Sequence, residues 1–204
     1  MMKSKLLGLL VLVASPFDAR AVPVILNPGF EENSNPNPGY GSINGWSGGS
    51  GTNNASQPFH AESGAPIPEG AQVAFQQGLG TLSQDISGFD LNQEYFLSYR
   101  ENSRGPSSLK PSVEVRLDGV VIIPRHDVEK LSAYAIVTSA PFFYTGGDGT
   151  GLLELQNFSP ATGPSDDNTA LWDAFQITQV PEPSVALAVI SGFGVLGLLR
   201  RRRA

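Results

Sequence analysis

The stretch "EYFLSYREN", residues 94–102, decides the fold. Tyr95, Leu97 and Tyr99 fall on one side of it, and Phe96, Ser98, Arg100 and Asn102 on the other. That period of two belongs to a strand with one buried face. The pattern repeats outward. "SVEVRLDGVVI" (112–122) sets Val113, Val115 and Leu117 against Glu114 and Arg116, then turns at Asp118-Gly119, a dipeptide suited to a tight hairpin. "GLLELQ" (151–156) and "LWDAFQIT" (171–178) alternate likewise. "AYAIVTSAPFFY" (133–144) is an apolar, β-branched stretch ahead of "TGGDGTG" (145–151), which reads as a hairpin turn. No segment of the body keeps a helical period. The expectation is an all-β chain of roughly eight to ten strands, most simply a two-sheet β-sandwich or jelly roll.

Residues 27–70 differ. "NPGFEENSNPNPGYGSINGWSGGSGTNN" (27–54) is mostly turn formers around isolated aromatics, expected to form long loops at one end of the sandwich. The 204 residues suffice for one domain once both ends are set aside. Residues 1–21, "MMKSKLLGLLVLVASPFDARA", carry Lys3 and Lys5, an apolar run from Leu6 to Ala14, and Ala19-Arg20-Ala21. This is the order of a secretory signal peptide, too short to span a bilayer. The expected division is a signal at 1–21, the sandwich at 22–180 and a distinct tail at 181–204.

The net charge of −6 conceals a more acidic body. Of 13 basic residues, Lys3, Lys5 and Arg20 lie in the leader and Arg200 to Arg203 in the tail, leaving six. Of 19 acids, Asp18 and Glu182 lie in those segments, leaving 17 and a body near −11. Such a surface disfavours nucleic acid and anionic lipid and is compatible with neutral glycans and divalent cations. There is no cysteine, so an exported body must rely on its core or on a metal.

Catalytic signatures are sparse. His60 and His126 are the only histidines, and neither has metal-ligand spacing. His126 adjoins Asp127, but neighbours on a strand point apart, so this is no dyad. No Gly-x-Ser-x-Gly elbow and no thiol nucleophile occurs. The body is therefore expected not to be an enzyme, although a glycosidase needs only two well-placed carboxylates.

The body resembles carbohydrate-binding-module-type jelly rolls of the galactose-binding-like fold. The likeness rests on "NPGFEE" (27–32), the Gly-Trp of "INGWS", "GTLSQDISGFDLNQEYFLSYREN" (80–102) and the closing "ALWDAFQI" (170–177). It implies a structural Ca²⁺ held by Glu31 and Asp173, joining first and last strands through oxygen ligands. The doubled acid Glu31-Glu32 leaves open which glutamate binds. The alternative is that Asp173 bonds backbone amides while Glu31 is a solvated loop acid. Trp46, Tyr40 and Phe59 are candidate sugar-stacking aromatics, with Trp46 alternatively capping the core. Arg100 and Asn102 are candidate hydroxyl-binding residues, or alternatively part of a solvated outer face.

The tail holds "GFGVLG" (192–197), a Gly-x-Gly-x-x-Gly without the βαβ unit that a nucleotide site requires. Its uncharged run, Val185 to Leu199, would span about 22 Å as a helix against a hydrocarbon core of about 30 Å. Pro181-Glu182-Pro183, this run and Arg200, Arg201, Arg202 and Arg203 together resemble the PEP-CTERM sorting signal of bacterial exported proteins. The resemblance implies an exosortase as partner and a transient inner-membrane tether through a transmembrane helix. It then implies delivery to the cell surface or extracellular matrix of a diderm bacterium. The reading is an exported, non-catalytic binder or organiser of extracellular polysaccharide. Its rivals are a purely structural matrix or adhesion protein and a glycoside-active enzyme.

Overall fold

The period of two at Tyr95 is realised, and the sheets grow from it. The computed structural model describes residues 22–32, 39–54, 65–104, 109–161 and 168–180. The expected leader, the tail with its sorting residues, and Phe59 lie outside them. Among the described residues the strands are β1 (Gly39–Tyr40), β2 (Ser47–Gly48), β3 (Gly51–Asn53), β4 (Val73–Gln77), β5 (Gly80–Ser87) and β6 (Glu94–Ser103). They continue with β7 (Ser112–Leu117), β8 (Val120–Asp127), β9 (Ala135–Thr138), β10 (Phe142–Phe143), β11 (Thr150–Asn157) and β12 (Thr169–Gln179). No helix among them is long and apolar enough to cross a membrane.

Two antiparallel sheets face each other, as the all-β expectation requires. One runs β1-β3-β4-β12-β6-β10, with β9 also on β6; the other runs β2-β5-β11-β7-β8. The strands beyond the expected eight to ten are mainly two-residue pieces within the loop-rich segments. Asp118 (φ 50°) and Gly119 (φ 76°) make the tight β7–β8 turn, whose backbone suits the twist of paired strands. The glycine-rich 145–151 is not a hairpin turn. It crosses from β10 in the larger sheet to β11 in the smaller one, with Asp148 Oδ1 accepting from Thr150 N at 2.9 Å. Glycine and aspartate signal a reversal of direction, but not which sheet the next strand joins. Among the described residues, every sheet margin is short or interrupted. Strands β1 and β2 have two residues each, β9 and β10 are split by Ser139–Pro141, and β8 contains Pro124.

The alternation read at 171–178 fails at one place. The β12–β6 register shifts between Asp173 and Gln176, and Ala174 takes φ 51°. Ala170 and Trp172 face the main core before this bulge, and Phe175 and Ile177 face it after. Phe175 meets Trp46 (5.2 Å between ring centroids), Phe30 (5.8 Å) and Tyr99 (5.1 Å, stacked). Its N–H donates to Pro28 O, tying the opening turn to the last strand. Trp46 is buried, and its Nε1 donates to Asn27 O at 3.2 Å.

The sheets are also joined by polar groups. Nε2 of His126 on β8 lies 3.0 Å from Oε1 of the buried Glu101 on β6. Tyr99 Oη donates to Glu101 Oε2 at 3.2 Å, and His126 Nδ1 is 3.0 Å from Pro124 O. With an acceptor at each nitrogen, the doubly protonated ring satisfies both contacts. The Glu101 hydrogen bond raises the His126 pKa most. Burial opposes it, while the Pro124 carbonyl and the Glu101 and Asp127 charges add to it.

Two outcomes follow. Alanine in the left-handed region costs about 1–2 kcal/mol, so Ala174→Gly should raise the melting temperature by a few degrees, while deleting Ala174 should abolish cooperative unfolding in calorimetry. Because the folded His126 pKa lies above the ordinary 6.5, its contribution is complete below about pH 6.5 and is lost as pH rises through the folded value. Melting measured from pH 6 to 8.5 should show that loss, and His126→Gln should make the fall over this range smaller.

Candidate functional site

Alternating with the inward-facing Trp172, Asp173 lies on the outer face of the seven-stranded sheet just ahead of the bulge, where it is fully buried. Leu171, on the same face, packs with Val73, Phe75 and Tyr134. The segment ahead of β4 closes over Asp173: Oδ2 accepts from Glu69 N at 2.9 Å, and Oδ1 from Ala174 N at 2.8 Å. The same segment holds Glu31, whose Oε1 accepts from Ala71 N (2.8 Å) and Gln72 N (2.7 Å). The packing is reciprocal. The Glu69 carboxyl lies against Gly29, and the Glu31 carboxyl lies against Gly70, whose φ of +61° also favours glycine. A side chain at either glycine would collide with the acid opposite.

Glu31 and Asp173, far apart in sequence, thus meet on one short segment, residues 69–72, with Glu69 as a third acid that sequence reading missed. Burial pushes the Asp173 carboxyl up to about 7; the two N–H bonds pull it down, and the Glu69 and Glu31 charges push it up. Burial, aided by the Asp173 charge, also drives the Tyr134 phenol well above its usual range. Gln72 Oε1 is buried without a hydrogen-bond partner, and Asn53, fully buried and paired in register with Val73, has neither amide atom bonded. Among the described residues, no three acidic, His or Cys side chains stand close enough to hold a metal ion.

A second constellation lies toward the far end of the same face. Tyr40 on β1 is 56% exposed, with its ring edge-on to Phe75 at 5.3 Å. Its hydroxyl bonds Gln77 Oε1. Burial raises the phenol pKa, while the Arg104 charge and the Gln77 bond lower it. Arg104 N donates to Thr169 O, and Thr169 pairs with Gln77, which brings the β4, β6 and β12 ends together. Sequence reading named Tyr40 and missed Gln77 and Arg104, because only strand pairing joins positions 40, 77 and 104.

The other candidates take different places. Trp46 packs inside with Phe30 and Phe175. Asn102 is fully buried rather than part of a solvated face. Its Nδ2 donates to Leu131 O (2.9 Å), and its Oδ1 accepts from Leu131 N (3.0 Å) and Ser103 N (2.9 Å). The amide clasps backbone and presents nothing to a ligand. Arg100 is half-buried, in register with Asp173 and Ile136.

No family model matches the chain, and no curated protein does. Solved structures do. A cyclase from Fischerella sp. TAU matches with a TM-score of 0.55 and 18% identity, over 79% of this chain and 100% of that one. The CBM22-1 xylan-binding domain from Paenibacillus barcinonensis Xyn10C matches with a TM-score of 0.51 and 17% identity, over 80% and 99%. Likeness at these identities concerns architecture: the described chain is a jelly-roll sandwich of the kind seen in carbohydrate-binding modules and in this cyclase.

Proposed function

We propose that the body is a non-catalytic polysaccharide-binding sandwich, exported and sorted to the cell surface by its two terminal segments. The observation that carries the binding reading is the exposed Tyr40 ring flanked by Gln77 and Arg104. A flat aromatic, an amide and a guanidinium suit a neutral sugar: the ring packs on C–H groups while the polar groups reach hydroxyls. The net charge near −11 from residue 22 to 180 favours an uncharged ligand over a polyanion. The fold shared with a xylan-binding domain is compatible with this reading. An exosortase, the inner membrane and an extracellular matrix enter through the order of Pro181-Glu182-Pro183, an uncharged run and Arg200–Arg203.

A structural Ca²⁺ belongs to the same proposal. Asp173 is fully buried and feels the Glu69 and Glu31 charges, and Gln72, whose N–H donates to Glu31, has a buried side-chain oxygen without a partner. An all-oxygen donor set carrying excess negative charge fits a hard divalent cation. Glu31 and Asp173 would hold it, and the cation would supply the charge that the cluster lacks.

A glycan-binding screen of the full chain, with and without calcium, tests the sugar reading. For a glycan that binds, Tyr40→Ala should weaken affinity more than tenfold, the scale of a lost aromatic anchor, with melting unchanged. A folded protein that binds no glycan favours a structural or adhesion role. Depolymerisation of a glycan, lost on replacing one carboxylate pair, favours an enzyme.

The metal has its own readout. The folded Asp173 pKa of about 7 lies above the ordinary 3.8, so the native state binds that proton more tightly than the unfolded chain. Metal-free protein should gain stability as pH falls through about 7 toward 4. At pH 8, calcium should raise the melting temperature relative to EGTA, and Asp173→Asn should abolish the calcium response and the gain in stability between pH 6 and 4. Equal melting in calcium and EGTA would sink the metal assignment.

A further inference from the structure

The end of the sandwich from which the described chain leaves carries an apolar groove unrelated to the outer-face constellations. It opens between the edge strands β8 and β10, encloses about 120 Å³ and is lined by Leu117, Val120, Ile122, Phe142, Phe143 and Tyr144. Val120 is 62% exposed and Phe143 60% exposed, an open apolar rim. The surrounding segments 88–94, 117–122 and 142–150 contain Asp90, Glu94, Asp118 and Asp148 and no Lys, Arg or His. Asp118 lines the groove itself, Glu94 pairs with Phe143, and Asp148 bonds the Tyr144 hydroxyl.

The chain leaves beside this groove. Val180 N donates to Glu94 O at 2.8 Å, so β12 ends across β6 from β10. Two strand spacings separate them, roughly 10 Å. Pro181-Glu182-Pro183 follows at once, and three residues can reach at most about 10 Å. Then come Ser184, the 15 uncharged residues Val185 to Leu199, and four arginines.

We propose that the β8–β10 groove is the docking site for the chain's own C-terminal stretch, from Ser184 onward, whenever the protein is free of a membrane. Three features select this occupant. The proline spacer matches the distance from exit to groove. The first side chains past it are Val185, Ala186 and Leu187, of a size for a small apolar cleft. The four arginines complement the four acids of segments that carry no basic residue. A groove of this size takes the first few of these side chains out of water, where each exposed aliphatic side chain costs about 1.5–3 kcal/mol. The inference does not rest on sugar or calcium binding, since it shares no residue with either site.

The absence of cysteine makes the test direct. In the full chain, Val120→Cys is combined in turn with Ala186→Cys, Ala188→Cys and Ile190→Cys, then oxidised mildly in dilute solution without detergent. The expected result is an intramolecular disulfide at one or more tail positions. Its yield should be at least tenfold above that with Leu79→Cys, an exposed site at the opposite end. Equal yields with Val120→Cys and Leu79→Cys would overturn the proposal. So would disulfides formed only between copies, or a thiol at position 120 protected from alkylation only after zwitterionic vesicles are added, because another occupant would then fill the groove. As a second measurement, Phe143→Asp should leave melting unchanged and speed cleavage within 184–199 by a broad-specificity protease at least fivefold. Unchanged cleavage would also overturn it.

Discussion

One extra residue in the last strand organises this molecule. With strict alternation, β12 would place either Trp172 or Phe175 in the core, not both. The bulge at Ala174 admits both rings, and Phe175 then gathers Phe30, Trp46 and Tyr99 around it. An unfavourable alanine conformation is thus offset by an aromatic cluster inside. Asp173, just ahead of the shift and opposite in facing to Trp172, accepts from the amides of Glu69 and Ala174 on the outer side.

This explains what could be read in the sequence. Strand β6 was legible because its alternation is unbroken from Tyr95 to Tyr99, and the β7–β8 hairpin because Asp118-Gly119 suits few other conformations. The bulge was not, since "LWDAFQIT" keeps an apparent period of two through Ala174, and alanine carries no sign of φ 51°. The His126–Glu101 link escaped for a different reason. Its partners lie 25 residues apart on opposing sheets, and only sandwich closure joins them. That Glu31 and Asp173 lie close together was expected from the resemblance of their motifs to a family's opening and closing strands, and both bond the segment 69–72. Glu69, which contributes through its main chain and its charge, belongs to no such motif.

The outer face divides into a sealed half and an open half. Around Asp173, loops cover the strands so fully that Asn102 serves only to clasp Leu131. Around Tyr40, the ring stands more than half open to solvent. The open half presents an aromatic ring and polar groups to solvent. The acidic end is suited to holding loops in place, which is a reason to separate the two roles experimentally.

Chains packed at high local density meet most often side by side, and an unpaired strand margin offers each a template for the next. Here two margins are only two residues long, a third is split around Pro141 and the fourth contains Pro124. Among the described residues, no margin presents a long, regular ladder on which a neighbour's strand could grow. A sandwich so finished can be concentrated on a surface and remain a set of separate particles, with lateral cohesion left to whatever its side chains bind.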